Sequence, residues 1–221
     1  MSVPPSILVT GFEPFGAERV NPSALLAARL HGASFKVDGR NTVVVGRELP
    51  CAFGESRQVL RQILRDVQPT LVVCLGLAAG RAGLSFERVA LNLDDARIAD
   101  NVGEQPIDAR VVRTSRNAYF ATVPVKAMVQ AALDQGVPAS LSLSAGTYVC
   151  NAVFFELMHW VAKQQRQGAK QGIGSVARGG FVHVPLLDGA HAHPAATPSM
   201  TLDAMALGLQ AAIEVALSTR H

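Results

Sequence analysis

Residues Leu71–Leu77 read LVVCLGL, an apolar run that contains no charged side chain. A short unbroken run of this kind is typical of a strand that is buried on both faces of a sheet. Similar apolar or β-branched segments occur at 7–12, 42–47, 88–93, 141–144 and 181–187. The sequence therefore predicts a set of short strands, most of them in the interior of one sheet.

Amphipathic segments separate these strands along the chain. Asn21-Pro22-Ser23 begins the first helix, because asparagine is a favourable N-cap and proline is favourable at the first helical position. Further helices are predicted at 54–67, 125–133, 151–164 and 201–217. Strands that alternate with helices indicate an α/β fold, which we predict to be a single three-layer α/β/α domain over residues 1–221 with a mostly parallel twisted central sheet.

The composition restricts the class of protein. The 221 residues are 49% hydrophobic, 17% charged and 5% aromatic, with a formal net charge of +3. This apolar content excludes an intrinsically disordered chain, and no apolar run approaches the roughly 20 residues that a membrane-spanning helix needs. Scattered arginines and few aromatic residues argue against a nucleic-acid partner. Because the first residues contain no signal-peptide pattern, we expect a cytoplasmic protein.

Two stretches fit neither a strand nor a helix. Residues 94–105 (DDARIADNVGEQ) are polar and charge-dense without a helical period. A long loop of this kind inside a compact domain is usually functional or disordered. Residues 164–180 are rich in glutamine, glycine and basic residues, and they predict a flexible connection.

Cys150 is the first candidate for chemistry. It stands where a strand and a short turn (SLSLSAGTYV) lead into a predicted helix. The unpaired N–H groups at a helix N-terminus stabilise a thiolate and can hold an oxyanion, so the position suits a nucleophile. A cysteine that only packs in the core explains the residue equally well. Cys51 and Cys74 complete an odd set without a CxxC pair, so neither a disulfide framework nor a zinc site is expected.

A nucleophilic cysteine needs a base, and His183 lies inside the apolar segment FVHVP. Burying an imidazole costs free energy unless its nitrogens have partners, so His183 is either a catalytic base or a hydrogen-bonded core residue. Glu87, predicted at the head of a strand, is either the carboxylate that orients this imidazole or a surface residue. His191 and His193 form an HxH motif that we interpret as part of a solvated loop.

The glycine-rich stretch 76–83 (GLAAGRAG) follows a predicted strand and could form an anion-binding nest. Its spacing matches neither a P-loop nor a GxGxxG motif, and GxSxG and HExxH are also missing from the chain. A phosphate-using enzyme similar to the nucleoside phosphorylases is therefore one alternative for the function.

Five blocks of sequence together resemble the pyrrolidone-carboxylate peptidases, also called pyroglutamyl peptidase I. In chain order they are TGFEPFG at 10–16 with NPS at 21–23, GR at 80–81 with ERVALN at 87–92, DDARI at 94–98 with DN at 100–101, SAGTYVCN at 144–151, and GFVHVP at 180–185. The resemblance covers nearly the whole chain. It implies a cytosolic cysteine peptidase with one α/β/α domain, without a metal or an organic cofactor, that forms a homodimer or homotetramer.

The resemblance also implies the substrate, which is a peptide with an N-terminal pyroglutamate, and the roles of four catalytic residues. Cys150 is the nucleophile and His183 is the general base and acid. Glu87 orients the imidazole, and Arg97, from the polar loop, helps to polarise the scissile carbonyl. A non-catalytic protein that binds pyroglutamyl peptides is the second alternative.

Four further residues are implied to bind substrate. Phe12 and Phe15 flank the pyroglutamyl ring, and Asn21 supports the pocket. Leu77 stands where the family usually has glutamine. A substrate contact through the backbone would be unchanged at this position, whereas a contact through the glutamine side chain would be lost. As an aromatic that lines a slot, Phe12 is expected to belong to the site rather than to the deep core.

Overall fold

The computed structural model describes residues 6–37, 39–171, 177–189, 194 and 196–219. His191, His193 and residues 172–176 of the predicted connection lie outside the described residues. In chain order the elements are β1 (Ser6–Phe12), α1 (Pro22–Leu30), β2 (Ser34–Val37), β3 (Arg40–Leu49), α2 (Phe53–Val67), β4 (Leu71–Leu77), β5 (Leu84–Glu87), β6 (Val89–Leu91), β7 (Ala118–Phe120), α3 (Val125–Asp134), β8 (Ala139–Ser142), α4 (Val149–Gln171), β9 (Arg178–Val184), β10 (Leu186–Leu187), β11 (Ser199–Met200) and α5 (Leu202–Ser218).

The central sheet has seven strands in the order β2-β3-β1-β4-β9-β5-β8. Strands β3, β1, β4 and β9 are parallel neighbours, and β5 is parallel to β8. Only the β2–β3 and β5–β9 pairs in this sheet are antiparallel, so the predicted mostly parallel sheet is confirmed. Strand β4, the run that predicted the fold, lies at the middle of the sheet and is buried throughout.

Helices cover both faces of this sheet. Helix α5 contacts α1 and α3, whereas α2 contacts α4, and this grouping gives the predicted three layers. Helix α1 begins as expected, with Pro22 in its first turn and the Asn21 side chain accepting a hydrogen bond from Ser23 N. No helix in the described part of the chain is long and apolar enough to cross a membrane.

The strand predicted at 88–93 is present as β6 (Val89–Leu91), but it does not belong to the central sheet. In this region the strand that joins the central sheet is β5. Strand β6 instead pairs with β7 in a separate two-stranded sheet. Glu87 is therefore the last residue of a strand and not the first. Strand β5 alternates apolar residues with Ser85 and Glu87, which are both buried, so a pattern of apolar residues does not reveal it.

Two other boundaries differ from the prediction. Strand β8 begins before residue 141, because its register is set by pairing with β5 from Leu84↔Ala139 to Glu87↔Ser142. Helix α4 continues past residue 164 to Gln171, so the first part of the expected connection is helical. Glutamine, alanine, lysine and arginine are good helix formers, and they outweigh the single Gly168 in this segment.

Candidate active site

The carboxyl ends of β1, β4 and β9 meet at one edge of the sheet, where ligands of parallel α/β sheets usually bind. A pocket of about 110 Å³ opens at this edge. Its lining contains all four residues implied to bind substrate together with Cys150 and His183. The full set is Phe12, Phe15, Asn21, Cys51, Leu77, Ala145, Tyr148, Cys150 and His183.

Cys150 and His183 approach each other at Gly76. Cys150 lies in the first turn of α4, and a Cβ atom added at Gly76 would come within 2.7 Å of its Sγ. Gly76 is paired with His183 in the register of β4 and β9. The missing side chain at position 76 thus leaves the space in which the sulfur lies beside the strand that carries the imidazole.

His183 and Glu87 form a buried hydrogen-bonded pair. The distance from His183 Nδ1 to Glu87 Oε1 is 2.8 Å, and the Glu87 side chain has no exposed surface. A carboxylate accepts, so Nδ1 carries the proton and Nε2 is the basic nitrogen of the ring. Glu87 is therefore not the surface residue that the sequence also allowed, but a buried carboxylate hydrogen-bonded to the imidazole.

Burial favours the neutral forms of both the thiol and the imidazole. It raises the pKa of the Cys150 thiol, and the charges of Cys51 and Glu87 raise it further, while the charge of Arg81 lowers it. Burial also lowers the pKa of His183, against the hydrogen bond and charge of Glu87, which raise it. The helix N-terminus does not outweigh burial, so burial favours a thiol beside a neutral imidazole in the resting site.

The start of α4 also supplies hydrogen-bond donors. The first hydrogen bond of this helix runs from Ala152 N to Tyr148 O at 3.2 Å. The N–H groups of residues 149–151 precede it and have no intrahelical acceptor. They lie next to the sulfur, where they can stabilise an oxyanion.

The loop at 94–105 is irregular, as expected, and it is held against the segment that precedes Cys150. Thr147 Oγ1 donates to Asp95 O at 2.7 Å, and Tyr148 Oη donates to Ala99 O at 3.1 Å. Arg97 lies between these two contacts, but its side chain is exposed and does not line the pocket. Among the eight predicted site residues, Arg97 is the one that the structure does not bring to the pocket or to a residue that lines it.

Phe12 lines the pocket and is also part of the hydrophobic core. It is 2% exposed and belongs to the hydrophobic core, so the expectation that it lies outside the deep core is wrong. The reason is its position as the last residue of a central strand, which has helices on both faces. Phe15 is only partly buried and packs against the core from the pocket side.

Asn21 lines the pocket and forms hydrogen bonds with both backbone and side-chain atoms. Its Nδ2 donates to Glu13 O at 3.0 Å, and its Oδ1 accepts from Ser23 N and Ser23 Oγ. Ser23 Oγ in turn accepts from Phe12 N at 2.9 Å. Asn21 thereby connects the start of α1 to the end of β1, which fixes the wall that carries Phe12.

Sequence reasoning missed three residues of this site. Tyr148 and Cys51 line the pocket, and Arg81 forms an ion pair with Glu87 at 3.0 Å. Tyr148 lies two positions before Cys150 in the same block, and Arg81 follows the carboxyl end of a central strand, so position alone could have indicated both. Burial raises the pKa of the Cys51 thiol to about 12, just as it raises that of the Cys150 thiol.

Cys74 lies in the core, and burial raises the pKa of its thiol to about 12, in line with the inert residue that its strand position predicts. All three cysteines are free. In the described ranges, no three His, Cys, Asp or Glu side chains come close enough to hold a metal ion.

Similar proteins share both the sequence and the architecture. The family model described as pyroglutamyl peptidase matches residues 5–219. A pyrrolidone-carboxylate peptidase of Cupriavidus taiwanensis is 45% identical over 216 residues, which are 98% of this chain and 94% of the relative. One from Yersinia pestis is 43% identical, with 97% of this chain and 94% of the relative covered.

Two solved structures extend the comparison to the fold. Pyroglutamyl peptidase I from Bacillus amyloliquefaciens superposes with a TM-score of 0.86 at 36% identity, covering 96% of this chain and 97% of the other. Pyrrolidone carboxyl peptidase from Thermococcus litoralis gives 0.85 at 35% identity, covering 96% and 93%. The pocket, the fold and the sequence therefore lead to one conclusion: this chain belongs to the pyroglutamyl peptidase family.

Proposed function

We propose that this protein is a cysteine peptidase that hydrolyses the amide bond after an N-terminal pyroglutamyl residue. The observation that carries the proposal is the convergence of Cys150 with the His183–Glu87 pair at a small apolar pocket. Membership of the pyroglutamyl peptidase family supports the same reaction and the same substrate class.

The pocket suits the chemistry of pyroglutamate. Its amine is part of a lactam, so the residue is neutral, and its ring is flat and small. Among the described residues, the lining contains two phenylalanines and no carboxylate that would bind the ammonium of an ordinary N-terminus. A volume of about 110 Å³ is also far below the several hundred cubic ångströms typical of larger ligands.

The proposed reaction begins from the neutral thiol–imidazole pair. His183 Nε2 takes the proton of Cys150 as the sulfur attacks the pyroglutamyl carbonyl carbon, and Glu87 stabilises the imidazolium that forms. The oxyanion is held by the N–H groups at the start of α4. His183 then protonates the leaving amine, and a thioester remains on the sulfur. Water, deprotonated by His183, hydrolyses the thioester and restores the thiol.

The role of Arg97 in the proposed reaction depends on the loop that carries it. The loop is anchored to Thr147 and Tyr148, immediately before the nucleophile, and the Arg97 guanidinium is exposed. We propose that this side chain turns towards the pocket when substrate enters and donates to the scissile carbonyl, a role that the family resemblance implies.

The two alternatives receive no support from the similar proteins. A phosphate at 76–83 would also lie close to the buried Glu87 carboxylate, which already holds Arg81. A binding protein without activity would differ from the proposed enzyme in one measurement, the release of product.

The test is hydrolysis of a fluorogenic pyroglutamyl amide by the purified protein. Wild type should release the fluorescent amine, and Cys150→Ser should keep the fold but lose nearly all turnover, because a hydroxyl is a far weaker nucleophile beside the same base. Cys74→Ala is the matched control and should stay active, because Cys74 lies in the core away from the pocket. Substantial activity of Cys150→Ser would contradict the assignment.

We propose that residues 1–221 form one domain, which is supported by the single connected core of the described residues. The chain has one tryptophan, Trp160 in α4, and its fluorescence can be compared with far-ultraviolet circular dichroism during unfolding. Coincident transitions are expected for one cooperative unit, and two separate transitions would contradict it.

We further propose a homodimer or homotetramer in the cytoplasm, as the family resemblance implies. Large exposed apolar side chains, among them Ile107, Phe120 and Leu143, are suited to contacts between copies. Three free cysteines, one of them the proposed nucleophile, fit a reducing compartment. Light scattering gives the mass of the particle, and cell fractionation gives its location.

A further inference from the structure

The turn between β4 and β5, residues 78–83, is fixed at the edge of the sheet next to the active site. Ala78 N donates to Val184 O at 3.0 Å, one residue after His183. On the other side, a Cβ atom at Gly83 would lie 2.4 Å from Pro138 O, so the turn packs closely against the chain that enters β8. The side chains of this turn therefore have a fixed position relative to the His183–Glu87 pair.

Arg81 in this turn and His183 share one carboxylate oxygen. Arg81 Nη1 lies 3.0 Å from Glu87 Oε1, and His183 Nδ1 lies 2.8 Å from the same atom. Glu87 Oε2 has no hydrogen-bond partner among the described residues. The orientation of the carboxylate is thus determined by two donors on one oxygen.

We infer that Arg81 is a positioning residue of the active site, which holds the Glu87 carboxylate in place so that it can orient the His183 imidazole. The inference deepens the proposed peptidase function and rests on it for the activity readout. It assigns Arg81 no contact with substrate.

Burial explains why the carboxylate needs this partner. The Glu87 side chain is 0% exposed, and a buried carboxylate is costly unless a charge compensates it. His183 supplies no such charge in the resting site, because burial lowers its pKa. With His183 neutral, Arg81 is the only charged partner of Glu87 among the described residues.

The Arg81 charge also acts on the nucleophile. Burial is the main influence on the Cys150 thiol and raises its pKa, and Arg81 opposes this by lowering it. Removing the guanidinium is therefore expected to make the thiol harder to deprotonate. A purely structural surface ion pair would leave the titration of Cys150 unchanged.

The experiment compares Arg81→Met, Arg81→Lys and the control Arg88→Met. Arg88 is a neighbour of Glu87 in sequence, but its guanidinium lies over the ring of Phe120 at 5.2 Å instead of on the carboxylate. Two quantities are measured: hydrolysis of the pyroglutamyl amide, and the pH dependence of alkylation by iodoacetamide, read at Cys150 by peptide mass spectrometry.

For Arg81→Met we expect kcat to fall about 100-fold, the scale of general acid–base contributions, with little change in KM. The midpoint of Cys150 alkylation should move up by about one pH unit, because a nearby cation is lost. Arg81→Lys keeps the charge without the planar fork and should recover most of the alkylation shift but only part of kcat. Arg88→Met should leave both quantities at their wild-type values.

A double variant separates coupling from a general loss of charge. In a Glu87→Gln background, Arg81→Met should lower kcat by less than about threefold, because the two residues act as one unit. Full additivity, or a wild-type alkylation profile in Arg81→Met, would overturn the inference. If Arg81→Met does not fold, Arg81→Lys becomes the test. A wild-type kcat for Arg81→Lys would show that the guanidinium fork is not needed and would also overturn the inference. Absence of hydrolysis by wild type would instead refute the peptidase function, and the alkylation profile would still report on Arg81.

Discussion

Gly76 leaves the space that the Cys150 sulfur occupies. We predict that Gly76→Ala lowers kcat by at least roughly tenfold, because its Cβ would lie 2.7 Å from Sγ and 2.9 Å from Phe181 Cζ and must displace the thiol from its position near His183. Steady-state kinetics with the pyroglutamyl amide measure this effect. Gly54→Ala is the control, since its Cβ would meet only the end of the Glu104 side chain, at 3.8 Å. Equal kinetics for the two variants would contradict the packing argument.

The two pocket phenylalanines should respond differently to truncation. Phe12→Ala removes a core side chain and should reduce the free energy of unfolding by about 3–5 kcal/mol as well as weaken substrate binding. Phe15→Ala should raise KM with a much smaller loss of stability, because Phe15 is only partly buried. Urea unfolding and KM, measured for both variants, check the prediction. A purely catalytic effect of Phe12→Ala, with stability unchanged, would show that its burial in the core is not energetically important.

At the scale of elements, the contact between the start of α4 and the loop at 94–105 connects the nucleophile to Arg97. Tyr148→Phe removes the hydroxyl that donates to Ala99 O, and it keeps the ring that packs edge-on against Phe53 at a centroid distance of 5.3 Å. We predict that kcat/KM falls roughly tenfold, since a small misplacement of a polarising group is costly, and that amide exchange of the loop becomes faster.

Tyr119→Phe is the matched control for this hydroxyl. The Tyr119 hydroxyl lies near Ser115 Oγ and His159 Nδ1, at 2.9 and 3.0 Å, and Tyr119 does not line the pocket. Its kcat/KM is expected to remain at the wild-type value. A comparable loss of activity in both variants would mean that the loop contact is not specific to the active site.

At the scale of the whole molecule, stability depends on a buried carboxyl outside the active site. Asp94 is 3% exposed, its Oδ1 has no hydrogen-bond partner in the described chain, and its Oδ2 lies 3.8 Å from Arg57 Nη1. Burial raises the pKa of Asp94 to about 6, although the Arg57 charge lowers it. Because this value lies above that of the unfolded chain, the folded protein holds the proton more tightly. Charging Asp94 therefore costs stability as the pH rises from 3.8 to about 6.

We predict that Asp94→Asn is more stable than wild type at about pH 7.5, by about 1–2 kcal/mol, and that the difference vanishes near about pH 4. His183 acts in the opposite direction, because its lowered pKa means that the unfolded chain takes up its proton first as the pH falls. This contribution is common to both proteins and cancels in the comparison. Urea unfolding at the two pH values gives the result, and a constant difference would show that Asp94 does not titrate as expected.

Much of the fold could be predicted from local sequence, since the relevant physics is local. A continuous apolar run such as Leu71–Leu77 can be buried on both faces without unpaired polar side chains, and Asn21 followed by Pro22 favours a helix start wherever it occurs. The chemistry of Cys150 and His183 was also visible, because each stands at an unusual point in its element. Their roles came from the family resemblance, since the residues alone left the choice between chemistry and packing open.

Tertiary structure decided the rest, because burial and charge depend on residues that are distant in sequence. The pattern of apolar residues does not predict β5, because the strand contains the polar residues Ser85 and Glu87, which are buried beside β9. Only the paired sheet makes that burial favourable. The raised pKa of the Cys150 thiol likewise depends on tertiary structure, because burial among the residues around the pocket outweighs the local effect of the helix N-terminus. The pairing of Arg81 with Glu87 requires a turn fixed between two strands, and no local signal encodes that distance. The sequence by itself determined which residues can react, and the assembled sheet determined how they are charged, oriented and held together.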